Sequence, residues 1–259
     1  MLSLNNISYK IEGKTLLEDI SLNFEAGKLN LIIGPNGAGK STLVKIICNQ
    51  IQSSKGGTVI YGTKNATAIS ISELARMRSV LSQNIELAFP LTVSEIVMMG
   101  RYPHFDGKPT EKDHIACKEA MQFFDVYEMA NRNYMTLSGG EKQRVHFARV
   151  VAQIWYPVKD SYRYLILDEP LTFLDIHYQF DFMTKLVALL KNKDIVVIGV
   201  VHDLNLASKF ADYLVLLHKG KLLAEGDKHK VLSKENIKIA YQLNLITRFE
   251  DDDMYLFFN

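Results

Sequence analysis

The 259-residue sequence is poor in cysteine, tryptophan and proline, with two, one and six of each. Two cysteines, Cys48 and Cys117, cannot build a disulfide framework. Both fall within apolar helical patterns and read as packed thiols of a reducing compartment. No run approaches the roughly 20 apolar residues needed to cross a bilayer. The opening MLSLNNISYKIEG has neither the basic segment nor the apolar core of a secretory leader. A membrane role is therefore expected only through a partner. Net charge is nearly absent as well: 30 basic against 29 acidic residues leave +1, which gives no broad field for nucleic acid or an anionic bilayer. No internal repeat, low-complexity tract or flexible linker is visible. What is present is 47% hydrophobic residues, enough to bury a substantial core in one large domain or one domain with a helical insert.

The opening third alternates in the manner of strands. Leu2, Leu4, Ile7 and Tyr9 are spaced by polar residues, and Ile20, Leu22 and Phe24 alternate with Ser21 and Asn23. After a turn at Glu25–Lys28, the short run Leu29–Ile33 leads straight into glycine-rich sequence, and a helical face follows from Lys40 to Gln50. From about 92 to 155 the pattern is helical. Thr92 and Glu95 have capping-box spacing, and further starts are expected near Thr110 and Ser138. The unbroken apolar runs Tyr164–Leu167 and Ile195–Val201 predict strands buried on both faces of a partly parallel sheet. The chain then reads as a strand from Lys221, a helix near Lys234–Tyr241 and an acidic turn at Glu250–Asp253. The expected architecture is a single α/β domain. Residues 1–84 and 161–259 form its core, and 85–160 a helical insert.

Gly34-Pro35-Asn36-Gly37-Ala38-Gly39-Lys40-Ser41-Thr42 matches G-x-x-x-x-G-K-[ST] between a predicted strand and a predicted helix. The glycines let backbone N–H groups turn inward around phosphates, and the helix N-terminus adds partial positive charge. Lys40 is expected to reach the β- and γ-phosphates and Ser41 to ligate Mg²⁺. The second chemical feature is a strand ending in two acids, Tyr164–Leu167 followed by Asp168 and Glu169. Asp168, at the strand end, is placed to hold magnesium. Glu169, one residue on, is a candidate general base for water.

Leu137-Ser138-Gly139-Gly140-Glu141 makes the reading more specific. With the phosphate loop before it and Asp168–Glu169 after it, this segment resembles the signature motif of ATP-binding cassette (ABC) ATPases, and the resemblance covers essentially the whole chain. It implies a mixed-sheet α/β core, an antiparallel β subdomain and a helical subdomain carrying the signature. It implies ATP and Mg²⁺ as cofactors and a head-to-tail homodimer, in which Ser138 and the Gly139 and Gly140 amides face the partner's nucleotide. It also implies roles for Tyr9 (stacking on adenine), Gln83 (contacting Mg²⁺ and the γ-phosphate), Asp175 (communication across the dimer) and His202 (a γ-phosphate switch). Those residues stand in the family's order. One departure is Pro170-Leu171-Thr172-Phe173-Leu174-Asp175, where the family has smaller residues before the leucine.

The segment Ala88–His104 resembles that of importers for iron siderophores, haem and cobalamin, and implies a docking surface for a permease. Phe89, Met98, Met99 and Tyr102 could supply its apolar contacts. The extended linker Ala152–Arg163 and the stretch Leu74–Gln83 are similar to the haem importer ATPases. The expectation is therefore an ATPase subunit driving haem import through transmembrane permease subunits. It would be peripheral on the cytoplasmic face of a bacterial inner membrane and served indirectly by a substrate-binding protein. Siderophore or cobalamin cargo is the alternative. An exporter ATPase or a soluble ABC switch in translation or DNA repair is more remote: no second cassette, coiled-coil insertion or basic stripe is visible.

Overall fold

The computed structural model describes residues 1–259 except 55, 83–89, 173 and 252. Gln83 and Phe89 therefore lie outside the described residues, as does Phe173. The chain opens with strands β1 (Leu2–Ile11), β2 (Lys14–Phe24) and β3 (Leu29–Ile33), then helix α1 (Lys40–Ile47), β4 (Thr58–Tyr61), β5 (Lys64–Asn65), α2 (Ile71–Met77) and β6 (Arg78–Leu81). A helical stretch follows: α3 (Val93–Met99), α4 (Glu111–Phe123) and α5 (Gly139–Gln153). The chain then alternates through β7 (Arg163–Asp168), α6 (Ile176–Leu190), β8 (Ile195–Val200), α7 (Leu204–Phe210), β9 (Tyr213–His218) and β10 (Lys221–Gly226). It closes with α8 (Lys228–Val231), α9 (Lys234–Tyr241) and a hairpin of β11 (Leu245–Glu250) and β12 (Asp253–Phe258).

Six strands form the central sheet in the order β10-β9-β3-β8-β7-β6; β9, β3, β8, β7 and β6 run parallel to one another, and β10 pairs antiparallel with β9. A separate antiparallel sheet runs β2-β1-β4-β5. The unbroken apolar runs follow from burial on both faces. Alternate residues of one strand supply different cores: Leu29, Leu31 and Ile33 pack with the helical layer, whereas Ile32 joins α1 and the antiparallel sheet. This places the loops after β3, β7 and β8 side by side at the carboxyl ends of neighbouring parallel strands, where open α/β sheets build their sites.

The helical layer is held by polar ties as well as packing. The expected box at Thr92 is present: the Thr92 amide donates to Glu95 Oε2 at 2.7 Å and the Glu95 amide to Thr92 Oγ1 at 3.3 Å. Arg101 and Asp113 form a buried ion pair at 3.0 Å. Burial pushes the Asp113 carboxyl up, but hydrogen bonds from Thr110 and Arg101 outweigh it and hold it below the usual range. Arg101 also donates to the Ala152 carbonyl at 2.8 Å, so the buried charge is shared with a helix end. The linker after α5 is anchored too. Trp155 Nε1 donates to Glu119 at 2.6 Å, and the Tyr156 ring lies under the Lys112 ammonium at 4.6 Å.

Two sequence expectations shift. The first helix stops at Ile47, short of Gln50, because Asn49 takes a left-handed conformation at φ 53°. The acidic turn near residue 250 is the tip of the hairpin β11–β12, and the strands beside it were not expected.

Candidate active site

The phosphate loop is shaped by its surroundings. Gly39 caps α1 at φ 102°, and a Cβ there would come within 2.6 Å of Leu17 Cδ2 and 2.9 Å of the Leu16 carbonyl. At Gly34 (φ 149°) a Cβ would lie 2.3 Å from the Leu217 carbonyl. Only glycine fits either place. Behind the loop the Gly220 amide donates to the Ala38 carbonyl at 3.0 Å. Sequence reading missed this support, although a Lys-Gly turn between two strands was its signal. Asn36 and Gly37 are exposed, and Ser41 and Thr42 half-buried.

Lys40 is buried and bends back, donating to the carbonyls of Gly34 at 2.8 Å and Pro35 at 3.1 Å. Burial lowers its pKa, opposed by the negative charges of Glu169 and Asp168, so the two carboxylates and the ammonium feel one another. Asp168 ends β7 opposite Val200 of β8. Burial and the neighbouring Glu169 charge raise its carboxyl pKa, against Lys45, Lys40 and His202. Its Oδ1 is buried without a hydrogen-bond partner. An orphaned carboxylate oxygen that feels the charge of Lys40, the residue before the half-buried Ser41, is the kind of donor that suits Mg²⁺, a hard cation satisfied by one or two protein oxygens plus phosphate.

Glu169 has a left-handed backbone at φ 52°, a conformation that costs a non-glycine residue about 1–3 kcal/mol. Its side chain meets His202, whose Nε2 lies 2.7 Å from Glu169 Oε1. His202 lies two residues past the end of β8, and Asp203 beside it caps α7 through the Asn205 and Leu206 amides. The parallel order β3-β8-β7 thus assembles Lys40, His202, Asp168 and Glu169. A cavity of about 220 Å³ lies beside Glu169 and His202, walled by Leu171, Thr172, Gln179 and Leu206.

The remaining expected residues are placed differently. Tyr9 is half-buried on β1 opposite Leu17, the residue that contacts Gly39, so it is one strand removed from the loop. Ser138 caps α5 reciprocally with Glu141, the Ser138 amide donating to Oε2 at 2.7 Å and the Glu141 amide to Ser138 Oγ at 3.3 Å. Gly139 is exposed and Gly140 half-exposed. The nearest neighbour of a Cβ on Gly140 would be Leu174, at 3.9 Å. Gln143, on the same helix, donates to the Pro170 carbonyl at 2.8 Å, linking the signature helix to the turn after Glu169. Sequence reading missed it, although its position three residues past Gly140 puts both on one helix face. Asp175 is the N-cap of α6, accepting from the Tyr178 amide at 3.0 Å. Leu171 packs against the main core, which accounts for one of the two bulky residues of the turn; the other, Phe173, lies outside the described residues. Of the expected docking residues, Tyr102 is 59% exposed, whereas Met98 turns inward to Cys117, 3.9 Å away.

A phosphate loop, two acids at the next-but-one strand end and a histidine between them define a nucleoside-triphosphate hydrolase of the phosphate-loop class. Residues 17–172 match the model of the ABC transporter family. The chain belongs to that family, as an ATP-hydrolysing cassette whose turnover is coupled to transport. It is similar to the hemin import ATP-binding protein HmuV of Escherichia coli O157:H7, at 39% identity over 93% of this chain and 92% of that protein. Its identity to the protein of the same name from Gloeobacter violaceus is 42%, over 95% of this chain and 89% of that one. Among solved structures it resembles a transporter described as metal-chelate type in an inward-facing conformation, with a TM-score of 0.82 and 22% identity over 100% of this chain and 96% of that one. Among the described residues no helix is long and apolar enough to cross a membrane.

Proposed function

We propose that this chain is the ATP-hydrolysing subunit that drives haem (hemin) import through a membrane permease. The observation that carries the cargo is the similarity to two hemin import proteins from distant bacteria, near 40% identity over nine-tenths of the chain. The catalytic assignment stands on the cluster of Lys40, Asp168, Glu169 and His202.

Lys40 exchanges the carbonyls of Gly34 and Pro35 for the β- and γ-phosphates, with the loop amides and the α1 N-terminus around them. Ser41 and Asp168, joined by Gln83, would hold Mg²⁺, which neutralises charge on the transferred phosphoryl group when bound. Tyr9 serves the adenine. Glu169 accepts a hydrogen bond from the attacking water and takes its proton, while His202 fixes the carboxylate through Oε1 and reaches the γ-phosphate. Two copies close head to tail, so that Ser138, Gly139 and Gly140 of one face the nucleotide of the other, and Asp175 lies at the junction. Residues 85–160 act as the subdomain that carries the signature and meets the permease. A substrate-binding protein would deliver cargo on the far side. The cassette would work at the cytoplasmic face of a bacterial inner membrane.

The test is reconstitution with the permease in phospholipid vesicles and measurement of ATP-driven hemin uptake. Glu169→Gln should trap an ATP-bound dimer with turnover down about a hundredfold or more, and Lys40→Ala should abolish nucleotide binding or turnover. Undiminished turnover in Glu169→Gln removes it as the base. Uptake of a ferric siderophore or cobalamin in place of hemin overturns the cargo and leaves the chemistry standing.

A further inference from the structure

The end of α5 is bound into a closed set of hydrogen bonds that the chemistry above does not use. Gln153 is the last residue of that helix. Its side-chain amide donates to the carbonyls of Ala75 at 2.7 Å and Arg78 at 2.9 Å, and its Oε1 accepts from Ser79 Oγ at 3.0 Å. Its backbone carbonyl meets His104 Nε2 at 2.7 Å and accepts from Arg101 Nη1 at 3.3 Å. Arg76, between Ala75 and Arg78, donates to the Pro103 carbonyl at 2.8 Å. Three segments therefore close on one another: the surface turn 101–104, the end of α5, and the α2–β6 junction. Arg78 extends the set by donating to the Cys48 carbonyl at 2.6 Å, just past the phosphate-loop helix. Strand β6 ends at Leu81, two residues before Gln83.

A helix end does not need this. Its last carbonyls are ordinarily satisfied by water or a tightened last turn, and an apolar side chain would fill the same space. A half-buried polar set with its amide donors and acceptor matched instead specifies one relative position of the parts it joins. The parts joined are the Tyr102–His104 turn, which exposes Tyr102, and strand β6.

We propose that Gln153 is a positioning residue that transmits displacement of the 101–104 turn to β6 and the phosphate-loop helix, and so links permease movement to ATP turnover. The proposal rests on the reading of 101–104 as the permease-facing surface.

The experiment compares Gln153→Met, which keeps the volume and removes the amide, with the unaltered chain. Each is measured as the purified cassette and as the full complex with its permease in phospholipid vesicles. ATP affinity of the purified cassette should stay within about twofold, while stimulation of hydrolysis by the permease falls roughly tenfold. Ser79→Ala, which removes one of the three side-chain bonds, should fall between. Retained stimulation in a folded Gln153→Met complex overturns the proposal. So does a parallel loss of ATP affinity, because Gln153 would then support the nucleotide site itself. Tyr102→Cys supplies the control on docking. Disulfide or bismaleimide cross-linking to the permease, with and without Gln153→Met, shows that the surface is engaged in both. No cross-link in either overturns the docking surface and the transmission through it, while the ATPase assignment stands.

Discussion

The chain has two glycine-rich helix starts, and they are built on opposite terms. In the phosphate loop, Gly34 and Gly39 take positive φ, and a Cβ on either would collide with Leu217 or Leu17. Helix α1 has no side-chain cap. In the signature, Gly139 and Gly140 have ordinary backbone angles and no atom closer than 3.9 Å to a Cβ, and Ser138 and Glu141 already close the helix start. The first pair of glycines is required by this chain's own packing. The second is not, and glycine in a helix costs about 0.5–1 kcal/mol against alanine. Residues that disfavour their own helix without serving their own fold make sense where another molecule approaches closely, as the partner's nucleotide would.

The largest effect expected from this contrast is at Gly39. Gly39→Ala forces both a strained φ and a contact against Leu17, so it should destabilise the chain by about 2–4 kcal/mol. It should also abolish ATP binding. Thermal unfolding and calorimetric titration report the two. Gly140→Ala should do the reverse within one subunit, leaving melting temperature unchanged or slightly higher and ATP affinity intact, yet lowering turnover of the assembled complex by more than roughly tenfold. If Gly140→Ala turns over normally, the signature glycines face nothing and the contrast loses its functional meaning.

The same contrast marks what could be read in the chain itself. The phosphate loop between strand and helix, the acids after Tyr164–Leu167, the capping box at Thr92 and the helix start at Ser138 are local patterns, with physics contained within a few residues, and the structure has them where they were expected. The adjacency of Glu169 and His202 depends on which strands pair, a property of the whole sheet. The family order supplied His202, but not its 2.7 Å contact with Glu169. The Arg101–Asp113 pair joins two separate elements, so it left no pattern, and Met98 read equally well as surface or core. The hairpin β11–β12 escaped because its acidic tip dominates the local composition. Alternation is there, with Leu245, Met254 and Leu256 buried, but most of both strands is exposed.

How α5 is held can be probed by pH. His146, on that helix, is buried; its Nε2 meets the Tyr134 hydroxyl at 2.7 Å, Arg149 is close by, and Lys142 lies over the Tyr134 ring. Burial, and then the Arg149 charge, lower its pKa from 6.5 to about 4. The folded chain therefore favours neutral imidazole. Stability from this source is complete above the unfolded value and is lost as pH falls from there toward the folded value. Urea unfolding should show about 2 kcal/mol less stability at pH 5 than at pH 7, and His146→Gln should remove that part of the slope. An unchanged slope would place the acid-sensitive groups outside the signature helix.

The smallest effect is at Ser138, where capping and catalysis can be separated. Ser138→Ala removes the oxygen that accepts from the Glu141 amide and should cost about 1 kcal/mol. Ser138→Asp restores a capping oxygen of equal quality, and its charge suits a helix N-terminus. Within one subunit, then, aspartate should recover the melting temperature that alanine loses. Across a dimer it should do the opposite, because a carboxylate would face the partner's γ-phosphate and repel it. Stability recovered with turnover still low marks Ser138 as a residue that serves the other subunit's nucleotide. Turnover recovered together with stability leaves it as the cap of its own helix and nothing more, and the signature would then depend on the glycine amides alone.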